Sequence, residues 1–136
     1  MTAKEFLMLA WKIDRRIDRK TEERERIQAK LEAGRASNLS GMPRGGRYDW
    51  TDTAARVTDI DAEIAAEIAE LCRIKREVNA AIDAVEDSRY RHILELRYRN
   101  YRSWEEIAEA LQYDLRYVYR LHGKALLFVR VPDRFA

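Results

Sequence analysis

The sequence predicts an all-α protein: a long antiparallel helical hairpin of coiled-coil character, followed by a three-helix helix-turn-helix unit. Three observations carry that prediction. Charged residues make up 37% of the chain and only five Gly and two Pro occur, a mix that suits solvent-washed helices rather than sheets. Apolar residues nowhere alternate with period two for more than a few positions. Apolar residues do recur every seventh position, at Val57, Ile64, Leu71, Val78 and Val85, which is a heptad held over four repeats. The expected division is residues 1–87 for the hairpin, with a loop at 34–52, and residues 88–136 for the helix-turn-helix.

The first helix is expected over Ala3–Ala33. Phe6, Ala10, Ile13, Ile17, Ile27 and Leu31 keep the three/four spacing of one helix face, interrupted by Lys20 and Arg24 on the same stripe. Gly34 supplies a stop signal. Ser37, Asn38, Ser40, Gly41, Pro43, Gly45 and Gly46 then mark a loop. Its length exceeds the usual connection, so it is either mobile or functional. Arg44 and Arg47 flank its Gly pair as phosphate contacts or as parts of a flexible link. The second helix is expected over Thr53–Val85, with Ile60, Ile68, Ile74 and Ile82 filling the seam beside the heptad. In an antiparallel hairpin Lys20 and Arg24 should meet Glu63 or Glu67. Two helices alone enclose little core. The seam of Val57, Ile64, Leu71 and Val78 is therefore expected to bury itself in an oligomer, a homodimer through the hairpin.

Three shorter helices follow. The first spans Ser88–Arg99, with Ile93, Leu94, Leu96 and Tyr98 apolar. Ser103-Trp104-Glu105-Glu106 reads as a capping box, with Ser103 capping and Glu106 reaching back. The helix it opens turns Ile107, Ala108 and Leu111 inward. Gln112-Tyr113-Asp114 forms the turn, with Asp114 as the next cap. The last helix is expected over Leu115–Val129, ended by Pro132. Trp104 is expected between helices, Tyr98 and Tyr101 in core or hinge packing, and Tyr117 and Tyr119 exposed. His122 reads as a surface residue. Gly123 costs about 1 kcal/mol in a helix relative to Ala, which suggests close approach of another backbone, from the hairpin or from DNA.

The net charge of +2 hides a polarised distribution. Residues 52–87 carry four Lys and Arg against ten Asp and Glu, and residues 88–136 carry ten against six. A basic C-terminal block suits an anionic partner. One cysteine, Cys72, forbids an internal disulfide framework and suggests a reducing compartment. Two histidines and one cysteine assemble no metal cluster, so no metal and no cofactor is expected. The apolar run Phe6–Trp11 is too short for a signal-peptide core, and no stretch approaches a membrane span of ~20 apolar residues. A soluble cytoplasmic protein is the expectation. Enzyme readings lack parts: no nucleophile sits with a His and an acid, and no Gly-rich phosphate loop precedes a helix.

Ile93-Leu94-Glu95-Leu96-Arg97-Tyr98, Ser103-Trp104-Glu105-Glu106-Ile107-Ala108 and the stretch Val118–Leu126 resemble region 4 of bacterial sigma factors over about 40 residues. A second resemblance spans the whole chain. Ser40-Gly41-Met42-Pro43-Arg44-Gly45-Gly46, the seam, Trp104-Glu105-Glu106-Ile107-Ala108 and Tyr117-Val118-Tyr119-Arg120-Leu121-His122-Gly123-Lys124-Ala125-Leu126 are similar to a family of small, largely uncharacterised phage and prophage proteins. Its members are described as sigma-region-4-like regulators. Nothing in the chain is similar to sigma region 2, so a complete promoter-melting factor is not expected.

The resemblance implies a non-enzymatic, sequence-specific regulator that binds double-stranded DNA in the cytoplasm of a bacterial host, with RNA polymerase as a further possible partner. It also implies that the last helix enters the major groove N-terminus first. Leu115, Arg116, Tyr119 and Arg120 are then the base-contacting candidates, because Arg can bond a guanine edge and Leu can touch a thymine methyl. Arg99, Arg102, Ser103 and Lys124 are the phosphate-contacting candidates. A small terminase-like packaging subunit, which would form rings, and a protein–protein adaptor are the alternatives.

Overall fold

The computed structural model describes residues 1–39 and 50–136, and every regular element among them is helical. The elements are α1 (Ala3–Leu39), α2 (Trp50–Asp83), α3 (Ser88–Leu94), a π-helical turn (Glu95–Arg99), α4 (Trp104–Leu111), α5 (Leu115–Leu126) and a 3-10 turn (Asp133–Phe135). The long pair followed by three short helices is the all-α plan that the periodicity predicts. By compactness the chain divides into two units, Ile13–Leu71 and a second comprising Met1–Lys12 with Cys72–Ala136. The change from long to short helices near residue 87 is thus not where the compact units part: the outer turns of α1 and α2 belong with the short helices.

Within residues 13–71, α1 and α2 run antiparallel, and the ion pairs record the register. Arg16 meets Glu67 at 3.2 Å, Lys20 meets Glu63 and Glu67 at 3.7 Å each, and Arg56 meets Glu23 at 3.1 Å. Lys20 therefore finds both carboxylates expected of it. Arg24 instead pairs with Asp61, two residues before Glu63. Such exposed pairs contribute roughly 0–1 kcal/mol each, so their value lies in alignment. Burial of Ile13, Leu31, Val57, Ile60 and Leu71 does the holding.

This burial corrects the oligomer seam. Val57 and Leu71, and Val78 in the other unit, are already 2–8% exposed in the single chain. An apolar side chain spent inside the chain has little left for a second copy. Only Ile64, half-buried, and Ile68, 46% exposed, still present apolar surface along that run.

The helix ends also need correcting. α1 continues through Gly34 to Leu39, and α2 begins at Trp50 rather than Thr53. Gly34 is buried inside the helix, and a Cβ there would lie 1.3 Å from Cη2 of Trp50. It is a contact glycine, not a stop. The ends of the expected loop at 34–52 are therefore helical, and its centre, with Arg44 and Arg47, lies outside the described residues.

In the other unit, α1 opens on a reciprocal capping box: Glu5 N–H donates to Thr2 Oγ1 at 3.2 Å, and Thr2 N–H donates to Glu5 Oε2 at 3.1 Å. Phe6, Leu7 and Ala10, then Ile74, Val78, Ile82 and Val85, join Ile93, Leu94, Ile107, Val118, Leu121 and Ala125 in its buried set. The 3-10 turn closes this unit, with Phe135 against Phe6 at 5.3 Å and Arg134 on Glu77 at 2.7 Å. α5 stops at Leu126, three residues short of expectation. Leu127, Phe128 and Val129 donate to carbonyls three residues back, a tightening that returns Val129 to the core and leaves Leu127 and Phe128 outside.

Candidate nucleic-acid interface

The helix-turn-helix is built from α4 and α5 and held by the π turn before them. Asn100 N–H donates to the Glu95 carbonyl, the five-residue step of a π turn. The next residue, Tyr101, takes a left-handed φ of 55°. Arg97 locks this corner: one guanidinium nitrogen donates to the Arg102 carbonyl at 2.9 Å, and its plane lies over the Trp104 ring at 4.5 Å. Ser103 caps α4, its hydroxyl accepting from Glu106 N–H at 3.1 Å. The Glu106 carboxylate is engaged by Arg102 at 3.6 Å. Gln112, also left-handed at φ 56°, closes α4, and Asp114 opens α5 from an extended backbone.

The inner face of α5 is Val118, Leu121, His122 and Ala125. His122 is not the surface residue expected: it is 8% exposed, and its Nε2 lies 2.6 Å from the Tyr98 hydroxyl. The edge of Trp104 packs at 4.5 Å. Burial pushes the imidazole pKa down to about 4, helped by the positive charges of Lys4 and Arg97. Burial likewise pushes the Tyr98 phenol up to about 12. Both groups are therefore neutral at pH 7, and the phenol can donate to an unprotonated Nε2. This bond ties α5 to the π turn.

The outer face of α5 carries the cations. Arg116, Tyr119, Arg120 and Lys124 are exposed, while Leu115 is half-buried at the N-terminus. Among the described residues Arg116, Arg120 and Lys124 form no ion pair, and Arg120 lies over the Tyr117 ring at 5.6 Å. Tyr119 meets the edge of Trp104 at 5.6 Å. Gly123 shares this face, and a Cβ there would meet nothing within 4 Å. Among the described residues no backbone outside α5 itself comes that close to Gly123.

The phosphate-contacting candidates separate. Lys124 is free and Arg102 is exposed, whereas the Ser103 hydroxyl is occupied as a cap. Arg99 is spent inside the chain: it donates to Asn79 Oδ1 at 2.9 Å, to the Asn79 carbonyl at 3.2 Å and to Asp83 at 3.0 Å, with Glu95 at 3.7 Å. It joins the π turn to α2, its charge already neutralised. Arg89, outside the candidates that the sequence supplies, belongs to the first turn of α3 and lines one cleft with Arg120 and Lys124. The basic–aromatic alternation Arg89-Tyr90-Arg91 is the signal that could have found it.

Among the described residues no group of three His, Cys, Asp or Glu is placed to hold a metal, and no helix is long and apolar enough to cross a membrane. The chain matches no family model, no curated protein and no solved structure.

Proposed function

We propose that this chain is a phage or prophage regulator of transcription that binds duplex DNA through α5, in the manner of sigma region 4, without chemistry of its own. The observation that carries the reading is the outer face of α5, where Arg116, Tyr119, Arg120 and Lys124 stand exposed without a carboxylate among them. α5 is braced from behind by the bond between His122 and Tyr98, so its outer face is presented on a rigid element. Arg116, Tyr119 and Arg120, in its first half, are the base readers, and Leu115 supplies apolar contact. Arg102 and Lys124 hold phosphates.

Homodimerisation through the hairpin stays part of this reading, now resting on Ile64 and Ile68 alone. The test is selection of bound fragments from a bacterial genome carrying the prophage, followed by titration at several salt concentrations. Contact with about four phosphates gives a slope of log K against log salt of roughly −3 to −4. No selected fragment, and no binding even at low salt, overturns the proposal.

A further inference from the structure

Between α3 and α5 lies a cleft of about 110 Å³ lined by Arg89, Tyr90, Tyr117, Arg120, Leu121 and Lys124. Three of the six are cations from two different helices, none is a carboxylate, and the two tyrosines can add hydroxyl donors. Two of the three cations are positioned by neighbouring side chains, Arg89 within an ion pair. Asp87 holds the Arg89 guanidinium at 3.4 Å, Arg89 lies over Tyr90 at 5.6 Å, and Arg120 over Tyr117 at 5.6 Å. Tyr90 in turn stacks on Phe128 at 5.3 Å. Side chains fixed against rings lose less freedom when they bind. Among the described residues Arg120 and Lys124 have no ion-pair partner, and an anion between them would gain from both charges.

A larger cleft of about 490 Å³ nearby contrasts with it. There Glu95 lines the wall, Arg91 donates to the Val85 and Glu86 carbonyls, and His92 lies 3.8 Å from Glu95. Arg89 borders this cleft too, but Arg91 is engaged with backbone carbonyls and the Glu95 carboxylate is part of the wall, so it suits an anion less well.

We infer that the small cleft seats one backbone phosphate of the DNA duplex, gripped from α3 by Arg89 and from α5 by Arg120 and Lys124. The inference rests on the DNA-binding reading and adds two things to it. α3 becomes part of the contact surface. Arg120 moves from base reading to positioning, leaving Leu115, Arg116 and Tyr119 for the base edges. A clamp that spans two helices also fixes the angle at which α5 enters the groove, because a phosphate held at one point sets the register of the whole helix.

The test uses the full chain and a selected genomic duplex in which one phosphate at a time is replaced by an uncharged methylphosphonate. Wild type is compared with Arg89→Gln/Lys124→Gln, both checked for equal helicity and melting. The expected result is one position per bound protein where neutralisation weakens wild type by roughly fivefold to tenfold and leaves the double variant unaffected. The variant should stay sensitive at the remaining contacted phosphates. An Arg19→Gln control, changing an exposed cation of the hairpin unit, should scan like wild type. If the variant and wild-type scans coincide, the cleft holds no phosphate although the protein binds DNA. If wild type selects no duplex at all, the DNA reading falls and the cleft proposal falls with it.

Discussion

The same substitution, Gly to Ala, should have opposite effects at the two helical glycines, and the contrast tests the packing directly. At Gly123 the added Cβ meets nothing within 4 Å. No contact is lost and no strain is introduced, so only the helix preference of Ala over Gly acts. That preference stabilises by about 0.5–1 kcal/mol, chiefly through the unfolded chain. At Gly34 the Cβ would lie 1.3–2.0 Å from three atoms of the Trp50 ring. The ring must leave, and the propensity gain is outweighed by an overpacking cost of about 1–3 kcal/mol. For a chain of 136 residues, each kcal/mol moves the melting temperature by roughly 3–5 °C. Urea titration followed by circular dichroism gives the sign and size of both. Trp50→Ala in the Gly34→Ala background should recover part of the loss, since it removes the clashing ring. A neutral Gly34→Ala, or a destabilising Gly123→Ala, would refute the packing assigned to these two positions.

Protonation of His122 should make the fold acid-sensitive. Its folded pKa of about 4 lies below the unfolded 6.5, so the unfolded chain takes the proton first, and stability present above about pH 6.5 is lost as pH falls towards 4. The loss has a ceiling of about 3 kcal/mol. It should be absent from the pH profile of His122→Gln, and parallel profiles would reject a buried neutral imidazole. Arg99→Gln should cost about 1 kcal/mol of stability and leave the salt slope of DNA binding unchanged, whereas a slope smaller by one would make Arg99 a phosphate contact after all. Ile68→Asp should lower the mass seen by analytical ultracentrifugation if the hairpin dimerises, and an unchanged oligomer would place the contact elsewhere.

Where structure follows from neighbours along the chain, the sequence was legible. The heptad from Val57 to Val85 announced the hairpin, and the α2 carboxylates announced a partner for Lys20. The Ser103 cap and the Asp114 start were visible for the same reason. Thr2-Ala3-Lys4-Glu5 carries an equally local signal, a Thr followed three residues later by Glu. The remaining errors share a non-local cause. Gly34 looks like a stop until Trp50, sixteen positions later, is seen to occupy the space of its absent side chain. The π turn inserts a wider step into what reads as one continuous helix from Ser88 to Arg99. Nothing in the local pattern distinguishes it from α-helix, because the step depends on what Tyr98 and Arg99 reach elsewhere.

The candidate site divides along the same line, and the division says something about how an anion would approach. Residue type alone cannot tell a free cation from a spent one. Arg97 and Arg99 are as basic as Arg116, yet each is committed to a carbonyl, a ring or a carboxylate of the chain. With those two removed, the remaining charges separate by helix. α4 exposes Glu105, Glu106 and Glu109, whereas α5 exposes Arg116, Arg120 and Lys124. A polyanion laid equally on both helices would gain from one and be repelled by the other at similar distances. The arrangement favours contact centred on α5, with Arg89 of α3, paired with Asp87, sharing a cleft with Arg120 and Lys124. It disfavours an approach along the length of α4 and leaves that helix only its N-terminal end for a phosphate, where Arg102 is exposed beside Glu106. The path of an approaching polyanion would thereby be narrowed by repulsion from α4 as well as by attraction to α5.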